Sequence, residues 1–334
     1  MIKLRNLDPS LKQWIMAQTN LGPCIGDLFY VCPADSSTSH YRDALEKMGV
    51  TEFYTSVSAA YADTTAYRND IVLVAPGAHV ETASITWANA NTHMIGLAGP
   101  NVSGDYSEPG AVVYTATSAV AEVINLTGPN CQFYGINFEN NGASTSSVAA
   151  VKVNNYGAYF ENCAFKGTMN STQCGNANCG SLRIYSSGMY PVFNNCQIGQ
   201  DVWGTRTTAN SGVIVWDGTG RPNGADFINC RILSVSEGTD CAMVRIASAT
   251  ASGRGIRFDN CIFSNFDSTG GSSANLANAF YFATAATTQD WSITIHNCTA
   301  IGIAEWTTSD HSIVMGSMPA AATDGGLVNN LTSA

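Results

Sequence analysis

Carboxylates come first, because two of them facing one sugar can break a glycosidic bond. Retaining enzymes hold the pair about 5–5.5 Å apart and inverting enzymes about 6.5–9.5 Å apart. Asp201, Asp217 and Asp226 bracket the stretch DVWGTRTTANSGVIVWDGTGRPNGAD, which also carries Trp203, Trp216, Arg206 and Arg221. Acids beside tryptophans suit carbohydrate, since an aromatic face stacks on a sugar ring. These three aspartates are the catalytic candidates. The competing reading makes them turn caps beside surface aromatics. Metal chemistry has less to build on. Cys174 and Cys179 form C-x4-C in QCGNANCG, but a structural zinc site wants a second ligand pair and none follows. His40, His79, His93, His296 and His311 show no metal-ligand spacing. No nucleophile elbow, phosphate loop or dinucleotide fingerprint occurs. The expectation is no metal and no cofactor.

What must position any such residues is an internal repeat. AYFENCAFKG (158–167), PVFNNCQIGQ (191–200), ADFINCRILS (225–234), IRFDNCIFSN (256–265) and ITIHNCTAIG (293–302) align without gaps. One column is Asn162, Asn195, Asn229, Asn260 and Asn297. The next is Cys163, Cys196, Cys230, Cys261 and Cys298, at spacings of 33, 34, 31 and 37. An apolar column lies on each side: Phe160, Phe193, Phe227, Phe258 and Ile295 before, and Phe165, Ile198, Ile232, Phe263 and Ala300 after. A strand alternates strictly, so the apolar phase flips at each Asn-Cys step. A one-residue bend achieves this, with Asn in the left-handed region that it tolerates. Stacked coils then give an Asn amide ladder and interior Phe and Cys columns.

Each coil adds an apolar strand upstream: VAAVKV (148–153), SLRIY (181–185), GVIVW (212–216), AMVRI (242–246) and AFYF (279–282). Two or three short strands per turn of this length predict an all-β fold, a single-stranded right-handed parallel β-helix. Earlier coils are less regular. Cys131 resembles another repeat cysteine, but Ile136 and Phe138 fit that register equally well. Outward positions can be read from the same alignment. Glu161, Asn194, Ile228, Asp259 and His296 form one column, and Ala164, Gln197, Arg231, Ile262 and Thr299 another. Glu161 and Asp259 are three coils apart, roughly 14 Å at strand spacing, too far for paired work.

The ends differ. Residues 1–65 contain three helix-like stretches, SLKQWIMAQ, HYRDALEKMG and SVSAAYADT, and read as a cap or attachment region, since a solenoid end exposes strand edges and an open core. Residues 66–314 are assigned to the β-helix and 315–334 to an extended tail. Hydrophobic residues make up 45% of the chain, charged residues 12%, and the net charge is −10 with only 15 Lys and Arg. That balance excludes a disordered or coiled-coil chain and argues against nucleic acid as a partner. No apolar run approaches the ~18 residues of a membrane span, and no signal-like leader opens the sequence. The eleven cysteines are expected to be reduced, mostly as small core residues.

Three stretches carry a family resemblance: AAYADTTAYRNDIVLVAPGAHVETASITWANANTHMIGLAG, the YFENC…VFNNC…FINC…FDNC series with GQDVWGTRTTANSGVIVW inside it, and NCTAIGIAEWTTSDHSIVMGSMP. Together they resemble the pectin-lyase-like parallel β-helix proteins of tailed-bacteriophage particles. The resemblance implies a non-catalytic virion protein assembled in the host cytoplasm. Its type would be a decoration or cement protein on the outer head surface, partnered by the major capsid protein, and homotrimeric by analogy with other decoration proteins. The alternative is a tailspike or receptor-binding β-helix that binds or cleaves host surface polysaccharide through Asp201, Asp217 and Asp226.

Overall fold

A computed structural model describes residues 26–33, 39–98, 110–167, 171–174, 178–200, 211–217, 223–236, 241–247, 255–266, 276–282, 293–307 and 313–315. They wind into a parallel β-helix of three sheets, one of ten strands and two of eight. Each regular coil lays a short strand in the first sheet and bends at once into the second. A longer connection then leads to the third sheet and back.

The coil starting at Tyr159–Glu161 in the first sheet continues through Ala164–Lys166 in the second and Leu182–Tyr185 in the third. Register is strict. Phe133, Phe160, Phe193, Phe227 and Phe258 lie directly over one another. Their rings stack at 4.8, 5.1, 4.8 and 4.5 Å, within 11° of parallel. Strand spacing sets that separation, so identical residues in one column stack by geometry alone.

The bend is where the repeat predicts it. Asn162, Asn195, Asn229, Asn260 and Asn297 have φ between 51° and 56°. Asn195 Nδ2 donates to Asn162 Oδ1 at 2.6 Å, and Asn260 Nδ2 to Asn229 Oδ1 at 2.7 Å. One coil earlier Gly135, at φ 62°, takes the same position. Asn137 pairs with Ala164 and Phe138 with Phe165, so Ile136 occupies the cysteine column and Cys131 sits one position before the preceding strand.

A second left-handed column bounds the other side of the first sheet. Asn69, Asn91, Asn130, Gly157, Tyr190, Gly224 and Gly255 all have positive φ, and strand pairing stacks them coil on coil. Both edges of the sheet therefore turn by the same backbone device.

The amino-terminal segment does two jobs. Leu28–Val31 pairs with Ile71–Val74 as the end strand of the first sheet, so this sheet begins inside the stretch assigned to the cap. Helix Val57–Ala62 buries Val57 and Ala60 in the solenoid core and closes that end. Ser56 caps it by accepting from Ala59 N–H, and the buried Glu81 carboxylate accepts from Val57 and Ser58 N–H at 2.7 and 3.2 Å. Helix Ser39–Lys47 belongs to a separate small core, in which Leu45 and Val50 join Leu28, Tyr30, Ile71, Leu73, Ile95 and Tyr134 on the outer face of the first sheet. The stretch SLKQWIMAQ lies outside the described residues. The last described strand, Ile313–Met315, pairs with Ile293–Ile295. Residues 316–334 lie outside the described residues.

Candidate functional site

Asp217 ends the third-sheet strand Gly212–Asp217 and is mostly buried. Its Oδ2 accepts from Arg183 Nη2 on the neighbouring coil. Around this pair the outer face of the third sheet carries a continuous column: Asn125, Lys152, Arg183, Val215, Arg245 and Tyr281. Lys152 Nζ lies 4.3 Å from the Tyr185 ring centroid and 4.0 Å from Glu122 Oε1. Arg245 stands 5.3 Å over the Tyr281 ring. Burial pushes the Glu122 carboxyl above its ordinary range; Lys152 and Arg183 pull it down, and Asp217 adds to the rise. The arrangement is a partly buried set of mixed charges in which carboxylates face cations. Sequence reading missed this column. Its signal was a single basic residue between apolar neighbours in VKV, LRI and VRI.

Asp226 lies elsewhere, on the first sheet, paired with Arg257 on the next coil at 3.2 and 3.3 Å. Asp217 and Asp226 thus occupy different sheets, each beside its own arginine. Asp201, Trp203, Arg206 and Arg221 lie outside the described residues. Trp216 is a correction: it is fully buried, points inward and meets Phe227 edge-on at 6.0 Å. It is a core residue and offers no sugar platform.

In the first outward column, Glu161 accepts from Tyr159 Oη at 2.9 Å, and Asp259 contacts His296 Nδ1 at 2.9 Å. The register of both outward columns is as aligned above. The thiols of the cysteine ladder are occupied internally. Cys163 Sγ–H donates to Phe133 O and Glu161 O at 3.4 Å. Cys196, Cys230, Cys261 and Cys298 repeat this pattern one coil at a time, at 3.2–3.5 Å. Burial pushes the Cys196 thiol up, and Cys131 up to about 11. Cys179 is buried; the Cys174 side chain lies outside the described residues. Among the described residues no group of three or more His, Cys, Asp or Glu is placed to hold a metal ion.

With this geometry in hand the chain can be set beside known proteins. No family model matches it, and no curated protein matches it by sequence. Solved structures do match. A pectin methylesterase in complex with a hexasaccharide aligns at TM-score 0.50 and 14% identity, covering 90% of this chain and 91% of that one. The solved neighbours are pectin-lyase-like parallel β-helices. The pectin methylesterase PemA of Erwinia chrysanthemi aligns at TM-score 0.49 and 12% identity over 90% and 92% of the two chains. ORF18 of Geobacillus virus E2 aligns at 0.43 and 11% over 80% and 58%. At these identities the likeness is one of fold.

Proposed function

We propose that this chain is a non-catalytic structural protein of a tailed-phage particle, a decoration or cement protein on the outer head surface that binds the major capsid protein as a homotrimer. The observation that carries the reading is the partnering of four carboxylates of the wall, among the described residues. Asp217 faces Arg183, Asp226 faces Arg257, Glu122 faces Lys152 and Asp259 faces His296. Each pair bridges neighbouring coils, so these contacts tie the solenoid together. A glycosidase instead needs two carboxylates aimed at one substrate. The sequence resemblance to phage-particle β-helices supplies the particle, and the stacked, strictly registered core supplies the stiffness that a cement protein needs. Trimerisation would place like surfaces of three copies around one closed axis.

The polysaccharide alternative is tested directly. Purified chain incubated with a panel of bacterial surface polysaccharides is expected to release no oligosaccharide. Release that Asp217→Asn abolishes would overturn the structural reading.

A further inference from the structure

The outer face of the second sheet holds a different cluster. Asn137 and Glu139 lie on strand Ile136–Asn140, and Lys166 ends the next coil's strand, Ala164–Lys166. Lys166 stands directly opposite Glu139, and Asn137 opposite Ala164. All three are almost excluded from solvent, with 3%, 8% and 1% exposure for Asn137, Glu139 and Lys166. A single oxygen gathers them. Glu139 Oε1 accepts from Lys166 Nζ at 3.2 Å and from Asn137 Nδ2 at 2.8 Å. The Asn137 amide oxygen is buried without a hydrogen-bond partner. Gln173 Nε2 donates to Asn140 O and Oδ1 at 2.9 and 3.0 Å, fastening the segment that carries it onto the same strand.

An ion pair alone needs only Lys166 and Glu139. It gives no role to a buried amide that shares the carboxylate oxygen and leaves its own carbonyl unpaired, which is costly. A primary amine, a carboxamide and a bridging carboxylate held together away from water are the reactants of an amide exchange. We propose that Lys166 and Asn137 become joined by an intramolecular isopeptide bond, with Glu139 carrying the proton.

The balance is simple. Lys166 passes a proton to Glu139, and the neutral Nζ attacks Asn137 Cγ. The new Nζ–Cγ bond forms and the Cγ–Nδ2 bond breaks. Glu139 returns its proton to Nδ2, the adduct's Nζ gives up its second proton to the departing nitrogen, and ammonium leaves. Starting from the ion pair, a lysyl ammonium and an asparagine amide give a secondary amide and one ammonium ion, and Glu139 ends as a carboxylate. No oxidant or cofactor is required. The driving advantage is proximity, since folding makes the encounter intramolecular. The product would clamp two neighbouring coils covalently and shorten the loop that unfolding can open.

The test is the intact mass and peptide map of the purified full-length chain. The expected mass is below that of the sequence by one ammonia, with a branched peptide linking the Asn137 and Lys166 segments and no tryptic cleavage after Lys166. Lys166→Arg and Glu139→Gln are expected to recover the full mass. A cyclic imide at Asn141–Gly142 would also lose ammonia, but its peptide is linear and survives Lys166→Arg. A folded wild-type chain at full sequence mass, or one lacking ammonia without the branched peptide, overturns the proposal. The wild-type peptide map decides even if the variants fail to fold.

Discussion

Asn195 and Gly135 do the same thing with the backbone and different things with the side chain. Both sit in the left-handed region at the bend between the first two sheets, but only the asparagine adds an amide to a ladder. That difference separates two contributions. Asn195→Ala is expected to cost about 1–2 kcal/mol for the strained backbone plus about 1 kcal/mol for the lost hydrogen bond. Asn195→Gly is expected to lose mainly the second part. Equal urea midpoints for the two variants would contradict the assignment. In the adjacent column, Cys230→Asp puts a carboxylate among stacked thiols and is expected to cost several kcal/mol or to block folding; a variant of unchanged stability would show that the column does not face inward. The Asn and Cys columns were legible because both residue types recur in one frame. The second left-handed column was not. Its positions are shared among Asn, Gly and Tyr, and no pair of adjacent residues marks it. The Lys166–Glu139–Asn137 cluster was equally hidden, because its members come from two coils and look like ordinary outward positions.

At the scale of elements, the cap depends on a few buried polar groups. Glu81 binds two N–H groups at the start of helix Val57–Ala62. Glu81→Ala leaves both without that partner, and an expected loss of about 2 kcal/mol in chemical unfolding follows. His93, buried on the first-sheet face beside the cap, accepts from Gln132 N–H through Nδ1 and so carries its proton on Nε2, toward Asn69 Oδ1 at 3.3 Å. Burial lowers its pKa from 6.5 to about 4, against a smaller upward pull from Asp70. The folded state therefore prefers the neutral ring. Its contribution is complete above pH 6.5 and is lost as pH falls toward 4, for a total on the order of 3 kcal/mol. His93→Gln is expected to flatten stability across that window; an unchanged slope would place the acid sensitivity elsewhere. Strand identity was readable from sequence because apolar runs alternate with turns. Side-chain direction was not always so. Every residue of Gly212–Asp217 is buried, and such a run gives no parity from which to tell that Trp216 faces the core.

At the scale of the whole molecule, the chain is acidic and sparsely charged, and its described residues pack into a long stacked core with a smaller one outside the first sheet. Among the described residues, ion pairs between coils line the wall. Such a surface suits packing against other protein subunits, and sedimentation at protein concentrations of the micromolar order is expected to give a trimer. A concentration-independent monomer would contradict that part of the account. The most direct test of the central claim is the copy number of this chain in purified particles, counted against the major shell protein by quantitative mass spectrometry. Decoration predicts copies in fixed proportion to the shell lattice. A few copies per particle, matching the symmetry of the tail, would contradict it and turn attention to the tail and to the aspartates at 201, 217 and 226.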